Sequence, residues 1–483
     1  MKSYQQNDKP FCESPDIGSV EWKRRKTPLY YREADQCCTS IIPPGVRVLE
    51  LGCATGRLLA ATRPSYGLGI DIDAKQIEAA RLIHSDKSNL EFRVDNVEEM
   101  DYSGIQPFDY IIISDVVPLL HDIQDTLNRL HTVCMPQTRL IIVYHSNLWR
   151  PVLALATLLG RRSPDPSYNW LSTNDLENLL HLSDFETVTT SGRTLLPVGI
   201  PVLDWIFNRL LAKMPFFNLF CLSWRIVARP CPQGRGETEN SDKPSVSIVV
   251  PTRNEKGNIE QIFTRTPKMG KWTELIFVDG NSDDGTVEEI NRCFEKYGQD
   301  WNHLILQHQS GKGKGQAVRQ GFAECKGDIL MILDSDLTMP PEDLPKYYEA
   351  IVTGKGEFIN GCRLVYPMEK EAMRFLNMVA NYLFAHLFTW LLGQKIKDTL
   401  CGTKVLWKHD YDRIAANRAY FGDFDPFGDF DLLFGASRLN HKIVDVPIHY
   451  CQRSYGEIKI QRWRHGWLLL RMSFIAFRKL KLS

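Results

Sequence analysis

The stretch that most constrains this chain is Gly327–Pro341, GDILMILDSDLTMPP. Five apolar residues, Ile329–Leu333, run into Asp334 and Asp336, and two prolines follow. An apolar run this short reads as a buried strand rather than a helix. Residues two apart in a strand share a face, so the spacing predicts both carboxylates side by side at its carboxyl end. Like charges at the rim of a core are costly unless a cation lies between them. A divalent, oxygen-preferring metal that also holds a phosphate-bearing substrate suits that position. A solvated turn is the plain alternative, because Asp-x-Asp is common by chance. The neighbouring sequence therefore decides.

Three more β-rich segments precede this one. Ser245–Val250 runs into Pro251-Thr-Arg-Asn-Glu255, and Leu275–Val278 runs into Asp279-Gly-Asn-Ser-Asp-Asp-Gly-Thr286. His303–His308 leads to Gly311-Lys-Gly-Lys-Gly-Gln-Ala317. Each strand delivers polar or glycine residues at its carboxyl end, which is the ligand-binding edge of an open α/β sheet.

The first half has a similar rhythm. Val46–Leu51 is a predicted strand, followed by Gly52-Cys-Ala-Thr-Gly56 and a helix start. Strand, glycine turn and helix allow a ligand close to the backbone, with free N–H groups facing it. Tyr66–Asp73 is a second strand ending in acids, placed to accept the hydroxyls of a ribose. Then come a helix over Ala74–Ile83, strands over Leu90–Val94, Phe108–Ser114 and Leu140–His145, and a loop and helix over Asp115–Leu130. This alternation predicts a doubly wound parallel sheet.

A chain of 483 residues exceeds one core of ordinary size. The expected division is an N-terminal arm over 1–44, an α/β domain over 45–229, a polar linker over 230–243 and a second α/β domain over 244–483. Lys+Arg and Asp+Glu balance at 58 each, so no net field draws the chain to nucleic acid. Twelve cysteines with no Cys-x-x-Cys pair suit a reducing compartment, and the polar N-terminus does not read as a signal peptide. Residues 195–227 are rich in Trp, Phe and Leu with interspersed Arg and Lys. A helix there is amphipathic, either lying in a membrane interface or packing on a domain. The same two alternatives hold for the basic C-terminal segment Arg462–Leu482.

ELGCATG, GIDID, Asp95-Asn96 and FDYIIISDVVPLL together resemble class I S-adenosylmethionine-dependent methyltransferases. The resemblance implies that Glu50, Gly52 and Gly56 shape the methionine pocket, Asp71 holds the ribose, and Asp95 and Asn96 meet the adenine edge. A plain dinucleotide-binding fold is the alternative, but the turn lacks that pattern's third glycine. No acid or base for methyl transfer is named by the residues; His121 and His145 are candidates, or structural histidines.

PTRNE, VDGNSDDGT, GKGKGQA, DSD and DTLCGTK, in this order, are similar to family-2 glycosyltransferases of the GT-A fold, and most to the dolichol- and polyprenyl-phosphate branch. By that resemblance Pro251, Arg253, Glu255, Asp279 and Lys314 line the nucleotide-sugar pocket. Asp334 and Asp336 would hold Mg2+ or Mn2+ against the diphosphate. Arg453 and Lys459 would grip phosphates, with Arg363 and Arg374 completing a cationic cluster. Asp423, Asp425, Asp429 and Asp431 are candidate bases if the acceptor is an alcohol, or caps and turns if it is not. The helix Phe375–Leu392 is expected at the acceptor mouth. The expected partners are a nucleotide-sugar donor and a lipid phosphate or cell-envelope glycan acceptor. The expected place is the cytoplasmic face of a membrane, in peripheral contact with it.

Overall fold

In a computed structural model the chain forms two compact units, Met1–Cys231 and Pro232–Ser483. The structure describes residues 28–158, 171–197, 200–232, 243–311, 313–365, 375–418, 429–453, 455 and 462–481.

The first unit is built on a seven-stranded sheet. Its strands are β1 (Arg47–Leu51), β2 (Tyr66–Asp71), β3 (Leu90–Val94), β4 (Phe108–Ser114), β5 (Cys134–His145), β6 (Phe185–Gly192) and β7 (Ser223–Pro230), in the order β3-β2-β1-β4-β5-β7-β6. β1 to β5 pair in parallel, and β7 enters antiparallel between β5 and β6. The sheet is therefore mixed rather than wholly parallel. Apolar residues that alternate along each strand fill two cores, one on each face. Within the lead-in, Pro28–Thr39 is a helix, and its Cys38 packs in the core beside Val48 and Ile141.

The expected amphipathic helix over 195–227 is corrected here. Residues 201–218 form short helical turns, and Ser223–Pro230 is strand β7. Arg225 and Arg229, which looked like a basic helical face, are both buried in the sheet. Pro230 closes β7, so it is not linker; residues 233–242 of the expected linker lie outside the described residues.

The second unit has its own seven-stranded sheet. Its strands are β8 (Val246–Thr252), β9 (Thr273–Asp279), β10 (Leu304–His308), β11 (Ile329–Ile332), β12 (Phe358–Cys362), β13 (Lys404–Trp407) and β14 (Ile443–Pro447), in the order β10-β9-β8-β11-β13-β12-β14. β8 to β11 are parallel, while β13 runs antiparallel to both β11 and β12. The strand order reverses between β8 and β11, the point at which open α/β sheets bind ligands beyond the strand ends.

The helix Phe375–Leu392 forms with the expected bounds. Among the described residues no helix is long and apolar enough to cross a membrane. On the helix Arg462–Ala476, Trp467, Leu470 and Phe474 are 72%, 52% and 67% exposed. Spacings of three and four put them on one outward face.

Candidate functional sites

In the second unit, β11 stops at Ile332. Asp334 and Asp336 lie past it in a turn, where the Leu337 N–H donates to the Asp334 carbonyl at 3.3 Å and Leu337 takes a φ of 53°. The shared strand face expected for the two acids is thus replaced by a turn that gives each its own cation. Lys314 Nζ lies 2.5 Å from Asp334 Oδ1, and Arg453 pairs with Asp336 Oδ2. Thr338 secures the other oxygen of Asp336, donating from N and Oγ1 at 3.1 and 2.8 Å. Lys314 opens the helix Lys314–Glu324 behind the glycine loop, so a short element aims its ammonium at the turn.

Gly402 lies against the Lys314–Asp334 pair. A Cβ there would meet Asp334 Oδ2 at 2.0 Å and Lys314 Nζ at 2.2 Å. The backbone of the DTLCGTK segment thus passes so close that any side chain at 402 would displace the ion pair.

Strands β8 and β9 deliver the adjoining loops. The Ser335 hydroxyl donates to the Pro251 carbonyl at 2.9 Å, which ties the acidic turn to the end of β8. Asn254 and Asp283 exchange two hydrogen bonds, of 2.7 and 3.0 Å, and the Asn254 N–H donates to Ser282 Oγ at 2.9 Å. Asp279 is 1% exposed; it accepts from Ser282 N and Oγ at 3.1 and 2.5 Å and lies 3.7 Å from His308 Nδ1. Glu255, 4% exposed, accepts from Asn258 at 2.8 Å. Both acids hold loops in place, whereas Arg253 is exposed at the rim.

The C-terminal segment folds back over this rim. Besides Arg453 on Asp336, the Cys451 N–H donates to the Thr338 carbonyl at 2.9 Å, and the Tyr455 hydroxyl lies 3.4 Å from Asp284 Oδ2. The sequence did not single out Tyr455, Asp284, Thr338 or Gly402, although Asp284, Thr338 and Gly402 sit inside or beside the motifs quoted for the family.

Arg363 does not join this cluster as a free cation. Its Nε and Nη2 form a bidentate pair with Asp398, at 2.7 and 2.9 Å, and Asp398 is fully buried. Burial works against the Asp398 charge, but Arg363 outweighs it and holds that carboxyl far below the usual range. Asp431 is likewise held, 2.8 Å from Arg418 and 3.4 Å from Arg319. Lys459, Arg374, Asp423 and Asp425 lie outside the described residues. Asp429 begins the helix Asp429–Arg438.

Asp334 and Asp336 offer oxygen donors only, and each already neutralises a cationic side chain. Mg2+ commonly uses one or two carboxylates and leaves its other positions to water and substrate phosphate. The pair fits such an ion without a third protein ligand. Among the described residues no group of three His, Cys, Asp or Glu is arranged to hold a metal.

In the first unit the ligand edge lies at the ends of β1, β2 and β3. Gly52 and Gly56 both have a φ of 69°; added Cβ atoms there would meet Val116 at 2.2 Å and the Phe92 ring at 2.3 Å. Glu50, 4% exposed, accepts from the Leu59 N–H at 2.9 Å and pins the helix after the turn. Asp71 Oδ2 accepts from Ala54 N at 2.7 Å and Oδ1 from Asp73 N at 2.9 Å. Burial pushes the Asp71 carboxyl up, and those two N–H donors offset it in part. The Asp95 N–H donates to the Asp71 carbonyl at 3.1 Å, and Asp95 Oδ1 accepts from Asn96 N at 2.8 Å. All six expected residues thus line one edge. His145, at the end of β5, lies 3.3 Å from Asp115, which takes a φ of 59°. The His121 N–H donates to Glu98 Oε1 at 2.8 Å.

In the second unit the acids and cations gather at a strand-order reversal of a mixed sheet, the edge at which open α/β sheets bind ligands. Comparison with known proteins narrows this. Residues 247–414 match the family model described as glycosyl transferase family 2, and residues 42–179 match one described as methyltransferase domain. The chain is 32% identical over 241 residues to a dolichol-phosphate mannosyltransferase of Mycosarcoma maydis, covering 47% of this chain and 77% of that protein. It is 43% identical over 110 residues to the dolichol-phosphate mannosyltransferase of Saccharomyces cerevisiae, covering 22% of this chain and 40% of that one. A solved S-adenosylmethionine-dependent methyltransferase from Mesorhizobium loti is 14% identical, with 41% of this chain and 96% of that one covered at a TM-score of 0.32. Across four of the curated relatives the chain spans 40% to 62% of their length. The chain belongs to glycosyl transferase family 2, and its first unit carries a methyltransferase domain.

Proposed function

We propose that the second unit transfers a sugar from a nucleotide-sugar to a lipid phosphate or a glycan, and that the first unit binds S-adenosylmethionine and methylates a small molecule or glycan. The observation that carries the first part is the pair of ion pairs at one rim, Lys314 on Asp334 and Arg453 on Asp336. In this reading both cations turn from the carboxylates to the donor diphosphate and stabilise its departing charge. Asp334 and Asp336 hold Mg2+ or Mn2+, which when bound supplies further positive charge against that leaving group. With a phosphate acceptor, an acceptor oxygen bonds to the sugar's anomeric carbon as the bond to the diphosphate breaks. That nucleophile is already ionised and needs no base.

Pro251 and Arg253 border the nucleotide, Glu255 and Asp279 keep their loops in register, and Arg363 is a positioning residue on Asp398. Lys459 is assigned with Arg453 to the phosphates. The outward stripe of Trp467, Leu470 and Phe474, with Arg471, Arg478 and Lys479 alongside it in sequence, supports docking on the cytoplasmic face of an anionic membrane, where a lipid acceptor is found. Asp336→Ala tests the assignment: metal-dependent transfer of labelled sugar into the lipid phase is lost while S-adenosylmethionine binding persists. Full transfer by that variant overturns it.

In the first unit Asp71 takes the ribose and the Glu50–Gly56 turn the methionine end. That the candidate His145 is already held by Asp115, at 3.3 Å, favours a second reading, a cofactor-binding or docking module without methyl transfer. Calorimetry with S-adenosylmethionine separates binding from no binding, and a labelled-methyl assay separates a module from an enzyme.

A further inference from the structure

Most of the large apolar side chains that the first unit exposes come from two segments, residues 146–158 and 200–222. Both meet the sheet at one rim. β5 ends at His145, β7 begins opposite it at Ser223, and β6 ends at Gly192 opposite Trp224. This is also the carboxyl end of β1 and β4, the edge that carries the Gly52–Gly56 turn. The helix Arg150–Leu158, RPVLALATL, has no charge beyond its first residue, yet none of its residues is buried. Val152, Leu155 and Leu158 are all exposed. A helix this apolar is normally packed in a core or set against lipid.

The second segment turns its amides inward and its rings outward. Asn208 is buried; it accepts from the N–H groups of Leu195 and Leu196 and donates to the Leu196 carbonyl and to Asp204, each at 2.8 Å. Asn218 donates to the Ala212 carbonyl at 3.0 Å and accepts from the Gly192 N–H at 3.2 Å. Val202, Trp205, Phe216, Leu219 and Phe220 are exposed, with Phe216 edge-on to Phe217 and Phe220 at 5.5 Å each. The two segments are joined. Trp149 Nε1 donates to the Phe220 carbonyl at 2.8 Å, and the Ser146 N–H to the Leu222 carbonyl at 2.7 Å. Charge follows the same division. Asp204 is the one acid in these segments, and its 13% exposed side chain accepts from Arg32 at 3.2 Å as well as from Asn208. Arg150 and Arg209 are exposed among the apolar groups. Exposed Trp, Phe and Leu interspersed with arginine, and with no exposed acid, complement an anionic lipid surface.

We infer that this rim docks the first unit on an anionic membrane, and that the methyl acceptor is a lipid or lipid-linked molecule drawn from that membrane. The acceptor's class rests on the methyl-transfer reading; the docking surface does not. The path between the two is short. Val116 abuts the Gly52 turn proposed for the donor, and Asp115 beside it lies 3.3 Å from His145, after which the first apolar segment begins. β1 and β5 are two strand spacings apart, about 10 Å. A lipid head group at the rim is therefore within reach of the donor turn while its chain stays among the apolar side chains.

The test uses the full chain carrying Trp467→Ala and Phe474→Ala, which removes the outward stripe of the second unit. Flotation with vesicles of phosphatidylglycerol and phosphatidylcholine is expected to show binding that persists, and pure phosphatidylcholine to bind less. Adding Leu155→Ser, Phe216→Ser and Phe220→Ser, all at exposed positions, is expected to weaken the remaining binding about tenfold or more with an unchanged melting curve. Equal binding with and without these three substitutions overturns the surface. So does self-association that they abolish in a chain that binds no vesicles, which gives the face to a second copy. Methyl-labelled S-adenosylmethionine is then given to the unsubstituted chain with vesicles of a total lipid extract and, separately, with the soluble extract of the same cells. Label in the organic phase is expected. Label in a water-soluble product alone overturns the lipid acceptor, and label in neither removes the methyl-transfer reading; both leave the docking surface standing.

Discussion

Asp398→Asn is the substitution whose cost is best fixed by geometry. The carboxylate accepts from three groups of Arg363, N at 3.0 Å, Nε at 2.7 Å and Nη2 at 2.9 Å, and from Asn381 Nδ2 and Leu400 N at 3.0 Å each. Asparagine keeps the shape but turns one acceptor oxygen into a donor facing donors, and it leaves the Arg363 charge buried and uncompensated. Breaking a buried pair from one side costs about 3–5 kcal/mol. For a unit of this size each kcal/mol lowers Tm by about 2–4 °C, so a drop of about 6–20 °C is expected. Differential scanning calorimetry of the full chain reads this in the second unit's transition, with the S-adenosylmethionine-responsive transition as internal control. The pH dependence has a definite sign. Asp398 titrates far lower folded than unfolded, so its contribution is complete above the unfolded value, about 3.9, and is lost as pH falls toward the folded value. The gap between wild type and variant therefore narrows in acid. A drop of a degree or two at neutral pH, or a gap that widens in acid, would refute the role given to this pair.

Gly402→Ala forces apart Asp334 and Lys314; sugar transfer is expected to fall about 100-fold, with a folding cost of about 1–3 kcal/mol seen by denaturant titration. Arg453→Ala is expected to lower kcat far more than it alters donor KM, and Arg453→Lys to recover part of it, because a bidentate guanidinium and a point charge differ. Asp71→Asn removes the ionised acceptor for ribose hydroxyls, and calorimetry should show S-adenosylmethionine affinity lower by about tenfold. Trp467→Ala with Phe474→Ala should reduce sedimentation with anionic vesicles and leave transfer to a water-soluble short-chain acceptor unchanged.

Much of the fold was legible because most of the parallel strands are largely apolar and end in short polar loops. Phe108–Ser114 and Leu90–Val94 have the bounds that their pattern predicts. Strand β7 was not legible. SWRIVARP carries arginine at positions 225 and 229, and buried charge in a strand has the same composition as a basic helix face. Only the partners distinguish them: Arg229 meets Glu186 and Arg225 meets Cys37. The acids of the second unit were legible as a set, but their turn was not, since Ile329–Leu333 gives no sign that pairing stops at Ile332. Arg363 was read as a free cation because its partner Asp398 lies thirty-five positions away, across an 18-residue helix.

The stitching of Asp336 to Arg453, and of Asp284 to Tyr455, spans 117 and 171 positions of chain. During synthesis the acidic turn therefore leaves the ribosome long before its counter-charge exists. Until then Asp336 lacks the guanidinium that pairs with it in the folded unit. A nascent chain halted before residue 453 would carry the strands of the second sheet yet lack the guanidinium that pairs with Asp336, the cation assigned to the diphosphate in the proposed reaction.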